Sequence, residues 1–554
     1  MSEYFDLGGH TFPVTTSSAD AQLWFDRGLL WTYGYNHEEA VACFEKALEA
    51  DPHCAMAHWG KGYAAGPNYN MSWDLFDDAG RATALSTGHA SAHAAMALVD
   101  DVSDWEASLI RALPARYPQA EPIDDMRPWN VQFADAMRLA FKVHSENLEV
   151  RTIFVEALLN ITPWKMWNLR TGEPTEGALT EEAQSVMEEA FDNQPDAWRH
   201  AGLLHLYVHL MEMSPFPEKA LKAGDALRTL VPDAGHLIHM PTHIDVLCGF
   251  YRDVVHWNEM AVEADLKFWG EKGPFNIYSG YRLHNYHFVM YGALFLGQYE
   301  PAMRAVRGAA ETVPEEMLRI ESPPMADYFE SYLGFEPHVL VRFGKWKEAT
   351  NLQPPSDPEL YCTLAANVHY ARGVAHAALG NIAEAEADEK LFHDSLERVP
   401  ETRLLHNNRM VDLLAIGAEM LRGEILYRKG NFDEAFAALR RSVALDDDLP
   451  YDEPWGWMQP TRHALGALLL EQGRGGEAEA VFREDLGLGG QLSRATVHPE
   501  NVWSLKGLHD CLRARNDAVE ITQIKLRLDL AQARADQAVA ASCFCAQAAL
   551  QAAE

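Results

Sequence analysis

The chain has 554 residues, 48% hydrophobic and 10% aromatic, enough for a large core and too apolar for a disordered segment. Lys and Arg number 46 against 81 Asp and Glu, a formal charge of -35 that excludes the positive footprint nucleic acid or an anionic membrane requires. The opening MSEYFDLGGH lacks the pattern of a signal peptide, no apolar run reaches the length of a membrane span, and the seven cysteines form no CxxC pair. Reduced thiols in a cytoplasmic protein are therefore expected.

Residues 1–18 read as an N-terminal cap. The next segment, AQLWFDRGLLWTYGYNHEEAVACFEKALEADPHC (21–54), sets Trp24, Gly28, Ala40, Phe44, Ala47 and Pro52 at the spacing of a helix–turn–helix unit. Small residues let two helices approach, and Pro ends the second. His37 with Glu38 and Glu39 reads as an acidic helix start that needs no metal. The following WGKGYAAGPNYN (59–70) opens a second unit and then turns at Gly66 to Asn70. Trp59 and Tyr63, with Asn68 and Asn70, are candidates for the wall of a small-molecule site, although core packing explains the two aromatics equally well. Insertions are expected at about 66–130 and 161–180. The second holds ITPWKMW, whose Trp164 and Trp167 could cap a groove.

The frame returns near Ala220, then at Gly249, Gly297, Gly344, Gly380, Arg422, His463 and Asn501. This gives about nine helix pairs, arranged as N-terminal units with insertions (19–200), central units (201–345) and C-terminal units with a capping helix (346–554). The acidic run LDDDLPYDEP reads as a solvated loop. In these features the chain resembles tetratricopeptide-repeat proteins. The segments WGKGYAAGPNYN, ITPWKMW and AGHLIHMPTHI (234–244), with NEMAVEAD following, resemble a narrower group of large bacterial repeat proteins. The resemblance implies an all-α tetratricopeptide-repeat superhelix, an α-solenoid, and brings no reaction with it.

Histidine placement is the strongest functional signal. Nine of the 24 histidines fall between His200 and His287, where even spacing predicts roughly four. His205, His209 and Glu212 are spaced i, i+4, i+7; His236, His239 and His243 i, i+3, i+7; His284 and His287 i, i+3. Each set falls on one face of a helix. With repeats starting at Ala201, Gly235 and Leu283, these residues take positions 2, 5, 9 and 12. The resemblance implies that such positions line the concave groove; His338 falls at position 9 of the next repeat.

Imidazoles with a carboxylate and no thiolate suit Fe, Zn, Mn or Cu, as one or two ions. The expected metal ligands are His205, His209, Glu212, His236, His239 and His243. Glu212 doubles as a general base, and His284 and His287 complete a second site or position substrate. Asp245, Asn258 and Asn285 are candidates to orient ligands. His200 and His256 fall off the face. The expected function is a metal-dependent enzyme that oxidises or hydrolyses a small substrate. The alternatives are a polar groove satisfied by internal hydrogen bonds, and a non-enzymatic scaffold holding a peptide or protein in the groove.

Overall fold

The computed structural model describes residues 4–546. Among these the protein is all-α apart from one antiparallel pair of two-residue strands, Leu404–Leu405 and Asn408–Arg409. No helix among the described residues is long and apolar enough to cross a membrane. The chain forms two compact units, one of Met1–Ile244 with Met260–Arg282, the other of Asp245–Glu259 with Leu283–Glu554. The segment 201–345, expected as one block, is thus shared between them.

The first unit begins with an extended arm laced onto the helices. The backbone N–H of Asp6 donates to Asp233 Oδ2 at 2.7 Å, that of Phe12 to Asp26 Oδ1 at 3.0 Å, and that of Thr15 to Glu106 Oε1 at 2.7 Å. Ser18 caps helix Ala19–Tyr33, and Asn36 caps helix His37–Ala50. The Phe44 ring is wedged between two glycines. A Cβ on Gly28 would lie 2.7 Å from it, and a Cβ on Gly60, in helix Ala55–Ala64, 2.4 Å. Small residues therefore set the spacing of three successive helices. The stretch expected as an insertion at 66–130 is largely helical, with Asp78–Met96 and Asp104–Ala112. Its alanine and apolar content favours helix once it packs on a neighbour.

In the second unit the pairs recur: Cys362–Ala378 with Ile382–Leu396, Met410–Arg428 with Phe432–Asp447, Thr461–Glu471 with Gly475–Asp485, and Val502–Ala514 with Ala518–Gln532. Gly380, Gly430 and Gly473 join the first three pairs in the left-handed region, at φ 81°, 79° and 74°. The glycine–aromatic wedge also recurs: Phe482 lies against both Gly466 and Gly507. The acidic run is not a solvated loop. Asp446, Asp452 and Glu453 are buried, and Asp452 accepts from Asn408 Nδ2 at 2.8 Å. Burial, ahead of the neighbouring Asp447, pushes the Asp446 carboxyl up to about 7. Cys543 and Cys545 form a disulfide, against the expectation of reduced thiols, because the two-residue spacing brings their sulfurs together. The end of the expected C-terminal cap, 547–554, lies outside the described residues.

Candidate metal centre

Helix Ala201–Glu212 is buried along its whole length. Gly202, in its first turn, admits the Tyr33 ring, to which an added Cβ would approach within 2.6 Å. That approach brings His205 against the end of helix Ala19–Tyr33, where His205 Nδ1–H donates to the Tyr33 carbonyl at 2.7 Å. One turn on, His209 Nδ1–H donates to Glu212 Oε1 at 2.9 Å. In a neutral imidazole a proton on Nδ1 leaves Nε2 as a lone pair. Both rings are therefore oriented and set in the ligating tautomer by acceptors behind them, the arrangement that tunes metal-bound histidines. Burial, partly opposed by the Tyr33 carbonyl, lowers His205 to about 3, so it is neutral at ordinary pH. Its Nε2 is buried without a hydrogen-bond partner.

His236 supplies the third nitrogen. The ligand atoms of His205, His209 and His236 lie within 4.8 Å of one another, and all three residues are buried. The expected helix through His236, His239 and His243 is broken: Gly235–His239 ends, and Pro241–Cys248 begins at the proline. His236 and His239 thus share one short helix, their rings 5.8 Å apart, and the break sets His243 on the next. His243 Nδ1 lies 2.8 Å from Glu212 Oε2, and the His239 and His243 Nε2 atoms are 2.8 Å apart. In this arrangement Glu212 fixes the tautomer of His209 and lies against His243 rather than joining the three converging imidazoles.

Aromatic rings close the site. Tyr35 lies in the turn between the first two helices at φ 55°, a conformation rare for so bulky a residue. Its ring stacks on His209 and His236 at 5.8 and 5.6 Å and lies 4.6 Å from His205. Tyr69 is 4.6 Å from His209, Tyr281 4.4 Å from His236, and Trp164, from the 161–180 insertion, 5.7 Å from His209. Trp167 Nε1–H donates to the Leu210 carbonyl at 2.7 Å, anchoring that insertion on the histidine helix. Beyond Tyr35 and Tyr281 lies a cavity of about 510 Å³, also lined by His37, Asn68, Met71 and Tyr278.

Of the expected substrate residues, Asn68 lines this cavity and Asn70 does not. Trp59 and Tyr63 stack on each other at 5.2 Å and are buried; neither lines it. Tyr63 hydroxyl donates to Glu156, and the Arg116 guanidinium lies 4.5 Å over its ring. His284 and His287 belong to the second unit. There His284 stacks on His406 at 4.8 Å, and His287 on Phe335 at 4.6 Å with its Nε2 3.0 Å from Met458 Sδ. Asp245, Asn258 and Asn285 belong to that unit as well.

Sequence reasoning missed a second cluster, His10, Glu149 and His200, whose ligand atoms also lie within 4.8 Å of one another. His10 Nε2 is 2.9 Å from Glu149 Oε1 and His200 Nε2 3.1 Å from Glu149 Oε2, while the Tyr33 hydroxyl donates to the same carboxylate. His200 caps its helix by accepting the Leu203 N–H at Nδ1. Its proton therefore sits on Nε2, toward Glu149, and that nitrogen has no lone pair for a metal. The cluster fits a hydrogen-bonded carboxylate better than a metal.

With this geometry in hand, comparison with known proteins adds one family. Residues 21–54 match the tetratricopeptide repeat. With the recurring helix pairs and glycine–aromatic wedges, the repeat places the chain in the expected all-α tetratricopeptide-repeat class. Similar solved structures include the APC/C hetero-tetramer Cut9-Hcn1, at 12% identity over 94% of this chain and 79% of that one (TM-score 0.30). Others are IFIT1 with Gppp-AAAA (12%, 93% and 91%, TM-score 0.30) and yeast Tom70 (12%, 92% and 99%, TM-score 0.30). At these values the likeness supports no functional statement. No curated protein matches the sequence.

Proposed function

We propose that the first unit binds one transition-metal ion on His205, His209 and His236 and uses it on a small molecule held in the cavity beside Tyr35. The supporting observation is that the Tyr33 carbonyl and Glu212 fix the protons of His205 and His209 on Nδ1, which leaves both Nε2 atoms as lone pairs in a buried cluster with His236 whose ligand atoms lie within 4.8 Å of one another. Three neutral imidazoles in a buried setting suit Zn, Fe or Cu, with Mn less favoured. A bound ion would supply Lewis-acid activation of an oxygen atom, which serves hydrolysis and oxidation alike. Glu212 keeps the His209 tautomer in place, and Tyr35 with Tyr281 forms the partition between the histidines and the cavity. The test is metal uptake by untagged, chelator-stripped protein. About one equivalent of Co(II), with a visible absorption band, is expected in the parent. Both should be lost in His209→Ala and His236→Ala variants that keep the parent's circular dichroism.

The repeat itself favours a second reading, because tetratricopeptide repeats generally bind peptide or protein partners. A parent protein that takes up none of Zn, Co, Fe or Cu would overturn the metal reading and leave this scaffold.

A further inference from the structure

Residues 534–546, which follow helix Ala518–Gln532, have no regular secondary structure and lie against the second unit. Asp536 accepts from the Tyr299 N–H at Oδ1 (2.7 Å) and from the Glu300 N–H at Oδ2 (2.9 Å), so it caps helix Tyr299–Glu311, whose own N-cap residue supplies no side chain. Val539 packs at Gly297 and Phe544 at Gly344, where an added Cβ would lie 3.2 and 2.8 Å from them. Arg342 donates to the Ser542 carbonyl at 3.1 Å, and Arg428 to the Cys545 carbonyl. The Ser542 hydroxyl donates to the His463 carbonyl at 3.3 Å, and the Phe544 ring meets Trp503 at 5.9 Å. Arg342, Arg428, His463 and Trp503 stand on four separate helices, Glu336–Arg342, Met410–Arg428, Thr461–Glu471 and Val502–Ala514. The segment is thus held as an extended peptide is held, by its carbonyls and one aromatic anchor.

The fit is incomplete at Arg342. This side chain is 5% exposed, donates to His463 Nδ1 at 3.0 Å and lies 3.7 Å over the Trp503 ring. Its Nε is buried without a hydrogen-bond partner, and among the described residues no carboxylate pairs with it. A buried guanidinium calls for an anion, and a peptide carbonyl brings no charge. Beside Arg342 a cavity of about 30 Å³ remains, lined also by His463, Cys543 and Cys545, room for a small group. Val539 and Phe544 are the large apolar side chains that the segment buries. That is a small return for ordering the whole of it, so its hold depends on the tether to the preceding helix.

We propose that residues 534–546 are a displaceable stand-in for an extended peptide with an acidic residue immediately before an aromatic one. The carboxylate would meet Arg342 from the place of Cys543, and the ring would take the place of Phe544. The inference is independent of the metal reading, which concerns the first unit. It rests on the scaffold reading and gives it a partner of stated chemistry.

The test is fluorescence anisotropy of labelled peptides of residues 534–546 with the full chain carrying Asp536→Ala and Phe544→Ala, which loosen the tethered segment. One peptide carries Cys543→Ser and Cys545→Ser, the other Cys543→Asp and Cys545→Ser. Both should bind, the acidic one about 10-fold tighter, and Arg342→Gln in the loosened chain should abolish that difference. The parent, occupied from within, should bind either peptide at least about 10-fold more weakly. Should the loosened chain fail to fold, the parent decides: excess acidic peptide should raise amide hydrogen exchange across 534–546. Equal affinity for the two peptides overturns the acidic preference and leaves the scaffold reading standing. No binding by the folded loosened chain, or unchanged exchange in the parent, overturns displacement itself.

Discussion

Replacing Gly202 with alanine tests how the site is assembled. The new Cβ would lie 2.6 Å from Tyr33 Cδ1 and 2.8 Å from both Cε1 and Cγ, nearly 1 Å inside ordinary contact. Tyr33 cannot swing away freely, because its hydroxyl is bound by Glu149 and its carbonyl by His205. Overpacking of this kind costs about 1–3 kcal/mol, and the helix preference of Ala over Gly returns about 1. A net loss of up to about 2 kcal/mol is expected by urea denaturation. Displacing Tyr33 also removes the acceptor that orients His205, and losses of such supporting contacts weaken metal binding about 10–100-fold. Competition titration with Co(II) measures that effect. Gly270 in helix Tyr251–Lys272 is the control, since a Cβ there meets nothing within 4 Å and alanine should leave stability equal or higher. A Gly202→Ala protein as stable as the parent, with unchanged cobalt affinity, would refute the packing account of the site.

Glu212→Gln should keep the helices and lower metal affinity about 10–100-fold, because a neutral amide is a weaker acceptor for His209 Nδ1–H than a carboxylate; the same competition titration reads it. His338, in the second unit, is buried, and burial alone lowers it to about 4 from an ordinary 6.5. A depressed group stabilises the fold above the unfolded value and loses that contribution as pH falls toward the folded one. Between pH 6.5 and 4 the loss attributable to His338 is about 3 kcal/mol. Denaturation curves of His338→Gln should show a correspondingly shallower acid dependence, and parallel curves would be the contrary result.

Local periodicity made part of the site legible. The i, i+4 spacing of His205 and His209 needs only a regular helix, and helix Ala201–Glu212 is one. The same logic put His236, His239 and His243 on one face, and Pro241 divides them, a break the sequence displayed but the periodic frame ignored. Tyr35 was out of reach for another reason. It comes to the histidines from a turn about 170 residues away, at a backbone conformation that residue identity gives no cause to expect. His200 was set aside as lying off the helix face, which is true of a residue that caps the helix. Glu149 and Glu156 belong to a helix that carries no motif. The repeat frame served the fold better, because its glycines and aromatics mark the places where helices touch, as Phe44 and Phe482 do.

The arm at residues 4–18 bears on how the chain is made. Asp6 is held by Asp233, 227 residues later, so translation at about 5–20 residues per second separates the two by roughly 10–45 s. Throughout that interval the helix pairs between them can form, and Phe12 and Thr15 can find Asp26 and Glu106 while Asp6 waits. The start of the arm is therefore among the last parts of the first unit to be secured, and a nascent chain stalled before Asp233 would carry the Asp6 end loose.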